Sequence, residues 1–406
     1  MNICILNSVH PANDTRVLRI ASSLAEAGHN VTIVSPLVSM LAANQQQLKG
    51  SISFVRIQKK VKGTFDPSRT LAGIFMAFLS RFMVSIELFR YGWRFKADIY
   101  HCNEVDSWFI GIALKILLRK RVVFDVHEYY PPVLAQILPT RWLRSVSERL
   151  LVKLFSISSR LTDGAIFVNR SMADLYQFRC KQVVVRSVPR LRDFKEVQAD
   201  PHLKQKYDGH VMLLHVGRMR ESYGAKSLIE AMILLQERGI DVICVILGGL
   251  DNSDDTFPDV FWRRLGNLGL LRQVEIVEEV PFHQVINYME VADVGLSLLQ
   301  PIHKNFIYSL GRKFLEYIAS GLPIVASKFP EMRRLVEQYN LGLLVDPENP
   351  QEIARAIEIL VRDPDLRQRF GKNARTAFEL ELNWEKESEH LHELYASWCL
   401  GGAFDP

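Results

Sequence analysis

One stretch late in the chain places charged side chains where a helix could begin. In Ser309–Glu331, which reads SLGRKFLEYIASGLPIVASKFPE, Gly311 precedes Arg312 and Lys313, and Glu316 follows one helical turn later. A glycine at a helix start lets free backbone amides approach an anion, and the two cations add positive charge there. A carboxylate one turn on can accept hydrogen bonds from two hydroxyls. The alternative is a surface ion pair between Lys313 and Glu316, which contributes about 0.5 kcal/mol.

A second pattern follows an apolar run in LLHVGRMRESYGAKSLIEAM. Gly217 permits a turn after a strand, and Arg218 is then placed to hold two oxygens of an anion with parallel hydrogen bonds. The alternative is a surface arginine near a helix start. Both patterns therefore predict positions for a negatively charged ligand.

In the first half of the chain, polar residues end apolar runs. His127 ends RVVFDVH, and Glu104 follows ADIYHC together with Asp106. The turn SVHPANDTR after the first run adds four more polar residues, His10, Asn13, Asp14 and Arg16. A histidine at a strand end can bind a hydroxyl or stabilise charge, although it is often a structural group, and Asp14 can be a helix N-cap.

Strand and helix patterns alternate along the chain and would position these residues. Apolar runs recur from NICILN to QVVVRSV, with amphipathic stretches between most of them, and the alternation begins again at HVMLLHVG after a polar segment behind Pro189. Alternation of this kind predicts parallel sheets. With 406 residues the chain exceeds a single core, so we expect an N-terminal domain (1–190), a C-terminal domain (191–382) and a closing helix (383–406).

Each predicted domain is α/β and doubly wound, in the Rossmann-like manner. Ligands of such sheets bind beyond the carboxyl ends of the strands. Two such domains that face each other create a central cleft lined by both sets of loops, which is where we expect the ligands.

The motifs resemble glycosyltransferase family 4. Ser309–Glu331 is similar to that family's nucleotide-sugar stretch, in a branch with a SLxxKxxEYxxxGxPxxAS run, and the second pattern resembles VGRxxxxKGxxxLxxA. The chain departs twice from the family: Tyr308 replaces a glutamate eight positions before Glu316, and Tyr223 replaces the lysine of the second pattern. These departures remove one carboxylate near the sugar and one positive charge, and the candidates to supply that charge are Arg220, Arg312 and Lys313, followed by Lys226.

The resemblance implies a GT-B fold and a retaining, metal-independent transfer from a nucleotide diphosphate sugar. It implies donor contacts from Gly217, Arg218, Tyr308, Ser309, Leu310, Gly311, Arg312, Lys313 and Glu316. His127, Arg218 and Lys313 are implied as catalytic, with His127 at the donor sugar and the other two on the leaving diphosphate. His10, Asn13, Asp14, Arg16 and Glu104 are implied on the acceptor side. No cofactor and no metal ligand are expected.

The composition and the absence of certain motifs exclude several classes of protein and of binding site. A net charge of +5 over 406 residues does not indicate nucleic-acid binding, and five scattered cysteines predict neither disulfides nor a zinc site. The acidic run DNSDD (251–255) reads as a surface loop, and no GxxxxGK[ST] pattern is present. The start, MNICILNSVHP, has no secretory-signal pattern. We therefore expect a cytoplasmic protein, with peripheral contact to the inner membrane face as a further expectation.

Three segments favour that membrane contact. Residues 140–161 (TRWLRSVSERLLVKLFSISSRL) form an amphipathic basic helix pattern, QKKVK (58–62) is basic, and 71–89 is apolar but interrupted by Arg81 and Glu87. A basic amphipathic helix can lie on anionic lipid, which favours a lipid-linked acceptor. The alternative is an ordinary domain helix whose basic face is solvated.

Two rival functions remain open at this level. A nucleotide-sugar epimerase on the same fold would need acid and base groups around the sugar. A non-catalytic binding protein is suggested by Tyr308 and Tyr223 at positions where charged residues are expected.

Overall fold

The computed structural model describes residues 1–8, 15–36, 52–57, 71–136, 138, 140–195, 200–251 and 256–399. The chain divides into two compact units. The first domain contains Met1–Arg186 and Ser388–Pro406, and the second domain contains Ser187–Glu387.

A parallel sheet forms the centre of the first domain. Its strands are β1 (Asn2–Leu6), β2 (Asn30–Ser35), β3 (Ile52–Arg56), β4 (Ile99–Cys102), β5 (Arg121–Val126), β6 (Gly164–Phe167) and β7 (Lys181–Val184). They are arranged in the order β3-β2-β1-β4-β5-β6-β7. The direction of winding therefore changes between β1 and β4, and the loops at the carboxyl ends of these strands separate there, which is where such sheets bind ligands.

Helices cover this sheet and complete its core. They are α1 (Thr15–Glu26), α2 (Leu71–Phe95), α3 (Val105–Leu118), α4 (Tyr130–Ala135), α5 (Arg141–Ser158) and α6 (Arg170–Tyr176). The Trp108 ring on α3 stacks on Phe124 with centroids 4.4 Å apart and meets Phe155 of α5 edge-on at 5.5 Å. Its indole N–H donates to the Thr162 hydroxyl at 2.8 Å. The aromatic cluster thus buries large apolar area while its one polar atom is satisfied.

The second domain repeats the design. Its strands are β8 (Val211–Val216), β9 (Val242–Leu247), β10 (Val274–Val277), β11 (Val294–Ser297), β12 (Ile324–Ser327) and β13 (Gly342–Val345). The sheet order is β10-β9-β8-β11-β12-β13, and all the pairings are parallel. Its switch point lies between β8 and β11. The prediction of two doubly wound domains is confirmed.

Within the described residues, ten further helices follow the first six. They are α7 (Pro201–Lys206), α8 (Ala225–Glu237), α9 (Phe257–Asn267), α10 (Phe282–Val291), α11 (Lys304–Tyr308), α12 (Arg312–Ser320), α13 (Pro330–Tyr339), α14 (Pro350–Arg362), α15 (Pro364–Leu380) and α16 (Trp384–Cys399). Helix α16 belongs to the first domain from Ser388 onward. There Leu391, Leu394 and Tyr395 are buried.

The apolar stretch predicted at 71–89 lies in α2, which continues to Phe95. Val84 and Leu88 of this helix are buried in the core, whereas Phe82 and Ile86 are exposed. No helix in the described part of the chain is long and apolar enough to cross a membrane.

Candidate functional site

The start of α12 carries the first predicted site. Gly311 is its N-cap residue, with φ −62°, and a side chain at this position would meet no atom within 4 Å. The conformation therefore does not require glycine, but the missing side chain leaves the first amides of the helix uncovered. Lys313 and Glu316 are each only 9% exposed. Arg312 is exposed, and its Nε lies 3.9 Å from Glu316 Oε1.

Lys313 and Glu316 do not form the surface ion pair that was the alternative interpretation of this motif. Among the described residues, no carboxylate lies within ion-pair distance of Lys313 Nζ. That nitrogen instead lies 3.3 Å and 3.2 Å from the two ring nitrogens of His215 on β8. Burial and then the Arg220 charge lower the pKa of Lys313 to about 7, against the opposing effect of Glu316. A buried, unpaired ammonium of this kind is suited to an anionic ligand.

The residues before Gly311 form the turn that leads into α12. Helix α11 ends at Tyr308, and the Ser309 hydroxyl donates to the Phe306 carbonyl at 3.2 Å. Tyr308, Ser309 and Leu310 are all half-buried. Their backbone therefore borders the same helix start that the sequence assigned to the donor.

Tyr317 fixes this helix to the end of β8. Its hydroxyl accepts a hydrogen bond from the Val216 amide at 2.9 Å and donates to the Leu214 carbonyl at 3.0 Å. A side chain at Gly295 would meet the Tyr317 ring at 2.7 Å, so only glycine admits the ring there. The start of α12 and the turn after β8 are therefore held side by side. Tyr317 is part of the motif quoted above, but the spacing of that motif does not show that Tyr317 links α12 to the end of β8.

Gly217 and Arg218 form that turn. Gly217 has φ +99° and Gly248 φ +128°, and a side chain on Gly248 would lie 2.9 Å from the Gly217 carbonyl carbon. The close approach requires glycine at position 248, and the positive φ favours glycine at position 217. Arg218 is 60% exposed, and its guanidinium lies 3.5 Å from Glu279. Both residues line a cavity of about 410 Å³ with Gly248 and Glu279, so the arginine is free to exchange a weak partner for a ligand.

A larger groove of about 830 Å³ is lined by Asp293, Pro323 and Arg367. These residues lie at or near the amino ends of β11 and β12, and none of the predicted donor residues lines this groove. Because doubly wound sheets bind ligands at the carboxyl ends of their strands, we assign the smaller cavity to the site.

In the first domain, His127 follows β5 and is oriented by a buried carboxylate. His127 Nε2 lies 2.9 Å from Asp125 Oδ2. Arg16 donates to both Asp125 oxygens, at 2.7 Å and 3.0 Å, and to the Val185 carbonyl at 2.6 Å. Although burial opposes ionisation, the Arg16 guanidinium and His127 hold the pKa of Asp125 well below its usual range. Asp125 was missed as a site residue because its alternation in the strand resembles that of a core position.

The resemblance implied that Arg16 lies on the acceptor side. In the structure its side chain is buried inside the first domain. Its guanidinium is buried and satisfied by Asp125 and Val185. The other predicted residues of that turn, His10, Asn13 and Asp14, lie outside the described residues.

Glu104 follows β4 and is half-buried near His127. Burial raises the pKa of the Glu104 carboxyl to about 7, with the charge of His127 opposing the rise and that of Asp106 adding to it. Asp106 accepts a hydrogen bond from the Ser8 hydroxyl at 2.6 Å. Polar groups at the ends of β1, β4 and β5 are thus gathered at the switch point of the first sheet.

The described residues contain no group of three or more His, Cys, Asp or Glu side chains that could hold a metal ion. Most of the acidic run 251–255 lies outside those residues. Asp251 is described, and it lies 3.5 Å from Arg220.

Comparison with known proteins identifies the kind of domain. Residues 14–193 match the family model described as Glycosyltransferase Family 4. Residues 198–377 match the model described as Glycosyl transferases group 1. The alpha-D-kanosaminyltransferase of Streptomyces kanamyceticus is 29% identical over 230 residues, 56% of this chain and 57% of that protein. The chain spans about half the length of the curated relatives it matches.

Solved structures show the same fold. A glycosyltransferase from Rickettsia africae ESF-5 has a TM-score of 0.76 at 17% identity, covering 99% of each chain. Anabaena HepE, solved in complex with UDP, has a TM-score of 0.74 at 14% identity, covering 98% of this chain and 100% of that chain. At such identities the likeness concerns the fold alone. The chain therefore carries two glycosyltransferase domains, each built on a Rossmann-like parallel sheet as in the GT-B fold.

Proposed function

We propose that the chain transfers a sugar from a nucleotide diphosphate sugar to a glycan, lipid-linked or small-molecule acceptor, with retention of configuration and without a metal ion. The observation that carries the proposal is the second-domain site, where Lys313 and Glu316 at the start of α12 adjoin the turn of Gly217 and Arg218. The UDP bound to Anabaena HepE supports a nucleotide donor.

Each group in this site has a chemical task. The uncovered amides of α12 and the ammonium of Lys313 attract the diphosphate, and Arg218 leaves Glu279 to bind it. Glu316 accepts hydrogen bonds from the ribose hydroxyls. As the glycosidic bond to the donor breaks, the leaving diphosphate gains charge, which the two cations stabilise. The diphosphate then accepts the proton of the acceptor hydroxyl, so no separate protein base is needed.

His127 is proposed to contact the donor sugar, as the family resemblance implies. Its hydrogen bond to Asp125 fixes the ring orientation, which is a common device for histidines in catalytic sites. The acceptor-side role of Glu104 also remains part of the proposal, because its carboxyl group changes charge near neutral pH.

A panel of UDP-, GDP- and dTDP-sugars, each incubated with the protein in excess EDTA, tests this function. We expect slow release of one nucleoside diphosphate, and the Glu316→Ala variant should bind that nucleotide at least tenfold more weakly, because a buried charged hydrogen-bond partner is lost.

Activity that disappears with chelator and returns with magnesium or manganese would contradict metal independence. Isomerisation of the sugar would indicate an epimerase, and binding without turnover a non-catalytic protein. The anomeric configuration of the product, read by NMR, tests retention.

We further propose that the first domain binds an anionic membrane surface, which favours a lipid-linked acceptor. Helix α5 packs inward through Leu151 and Phe155. Its outward side carries an exposed apolar stripe of Trp142, Val146, Leu150, Leu154 and Ile157 beside the basic residues, which supports lipid contact over a purely solvated basic face. The spacing of three or four residues keeps this stripe on one side of the helix. Arg149, Lys153 and Arg160 are also exposed and border it.

Two helices of the same domain, packed in series beside α5, also carry exposed apolar side chains. α5 touches α3 through Phe155 and Trp108, and α3 touches α2, where a side chain on Gly92 would meet Leu114 at 2.5 Å. Exposed apolar residues of α2 and α3 are Phe82, Ile86, Trp93, Phe109, Ile116 and Leu117. An apolar surface bordered by cations fits the interface of a bilayer with anionic lipid.

Replacing Trp142 by glutamine is expected to weaken binding to vesicles of phosphatidylcholine and phosphatidylglycerol about tenfold, because an exposed indole leaves the lipid interface. Trp142 is 66% exposed, so the fold should be unaffected. The matched control is Trp262→Gln on α9 of the second domain, which removes an indole that is 43% exposed. Equal binding of all three proteins in a flotation assay, or equal binding to purely zwitterionic vesicles, would exclude this surface.

A further inference from the structure

Tyr223 occupies the position where the family pattern has a lysine. It ends a 3-10 turn, Glu221–Tyr223, that follows the Arg218 loop. The next residue, Gly224, has φ +85°, and a side chain there would lie 2.7 Å from the Leu298 carbonyl oxygen. Only glycine fits this position, so the backbone that follows Tyr223 lies directly against Leu298.

Two cations lie against the Tyr223 ring. Lys313 Nζ is 4.4 Å from the ring centroid, and the Arg220 guanidinium carbon is 4.6 Å from it. Arg220 also donates a hydrogen bond to the Tyr223 hydroxyl at 3.1 Å. Both distances are those of cation–π contacts, which attract a cation without neutralising it.

The second aromatic neighbour of Lys313 is His215. Nζ is nearly equidistant from its two ring nitrogens, so it lies over the ring and not along one lone pair. The His215 and Tyr223 centroids are 6.1 Å apart. The Lys313 ammonium thus contacts two rings, those of His215 and Tyr223. Burial together with the Lys313 charge holds the pKa of His215 well below its usual range. His215 is therefore neutral near pH 7 and adds no third positive charge.

We propose that Tyr223 is a positioning residue that replaces the family's lysine by holding Lys313 and Arg220 on its ring, so that both cations bind the donor's diphosphate. This inference rests on the proposed function. Its physical reason is charge: a lysine at position 223 would place a third cation beside two that already repel each other, whereas an aromatic ring attracts both.

Three substitutions at one position separate the ring from the charge. Tyr223→Phe keeps the ring and should bind the nucleoside diphosphate within about threefold of wild type. Tyr223→Ala should bind it about tenfold more weakly. Tyr223→Lys, which restores the family residue, should also bind about tenfold more weakly, with the loss growing as the pH rises from 6 to 8.5, because a third cation favours neutral Lys313. Calorimetry with the diphosphate of the accepted donor measures each affinity.

A positioning role for Tyr223 also predicts a measurable proton uptake on binding, which structural damage alone would not explain. Because diphosphate binding favours the charged form of Lys313, wild type and Tyr223→Phe should take up protons on binding at pH 8, measured as a dependence of the binding enthalpy on buffer ionisation. Tyr339→Ala, which removes another half-buried tyrosine of the second domain, should leave affinity and proton uptake unchanged.

Affinity in Tyr223→Lys equal to or above wild type, or an unchanged Tyr223→Ala, would overturn the inference while leaving the transferase proposal intact. Failure of the wild-type protein to bind any nucleotide would instead remove the proposed function itself. Circular dichroism of each variant verifies that the domain remains folded.

Discussion

Replacing Asp125 by asparagine is expected to lower the free energy of unfolding of the first domain by about 3–5 kcal/mol. The Arg16 guanidinium is buried and makes its ion pair with this carboxylate at 2.7 Å. Removing one partner of a buried pair leaves an uncompensated charge away from water, which costs far more than the pair contributes when intact. Hydrogen exchange of β5 amides measures the stability of the first domain separately from that of the second.

The matched control is Asp174→Asn in the same domain. Arg170 and Asp174 form an ion pair at 3.1 Å, but both side chains are exposed. A pair of this kind contributes about 0.3–0.5 kcal/mol. Equal protection in both variants would show that Arg16 does not depend on Asp125.

The same carboxylate sets an acid dependence of stability. Because the pKa of Asp125 is held well below its usual range, its contribution is complete above the unfolded-state pKa of about 4 and is lost as the pH falls toward the native pKa. The wild-type domain should therefore lose stability more steeply than Asp125→Asn on acidification below about pH 4.

Periodicity predicted the architecture well, because both sheets consist of apolar runs that are separated by amphipathic helices. The second alternation predicted to begin at HVMLLHVG starts with β8 at Val211–Val216. The apolar stretch at 71–89 lies in α2, but the helix continues to Phe95 through the exposed residues Arg90 and Arg94, so the apolar pattern does not mark its end. Local pattern identifies an element more reliably than it identifies the end of that element.

The positions of Gly217, Lys313 and Glu316 near element boundaries could be predicted from the motifs, because each motif marks where a strand ends or a helix begins. Contacts between distant segments could not be read. Arg16 and Asp125 lie 109 residues apart, and nothing in either local pattern links them. From the sequence, Tyr223 was interpreted as the loss of a positive charge. The sequence alone does not show that two cations, Lys313 and Arg220, contact its ring.

The largest loss of turnover is expected from Lys313 and Arg218. Each of Lys313→Met and Arg218→Ala should lower kcat/KM for donor consumption by about 10²-fold, as does the loss of one preorganised donor to a developing negative charge. Methionine keeps most of the volume of the buried side chain, so Lys313→Met tests the charge and not the packing. Arg238→Ala, which breaks a surface pair with Glu358 at 3.0 Å, is the control and should change turnover little.

The double variant decides whether the two cations act on one group. Arg218 lies two residues beyond β8, whose His215 contacts Lys313, and Tyr317 holds the end of that strand beside α12. Two cations bound to the same diphosphate should couple by about 0.5–3 kcal/mol, so the double variant should lose less than the product of the single losses. Losses that multiply independently would place Arg218 and Lys313 on different parts of the donor. Single variants with unchanged turnover would move diphosphate binding away from the start of α12 altogether.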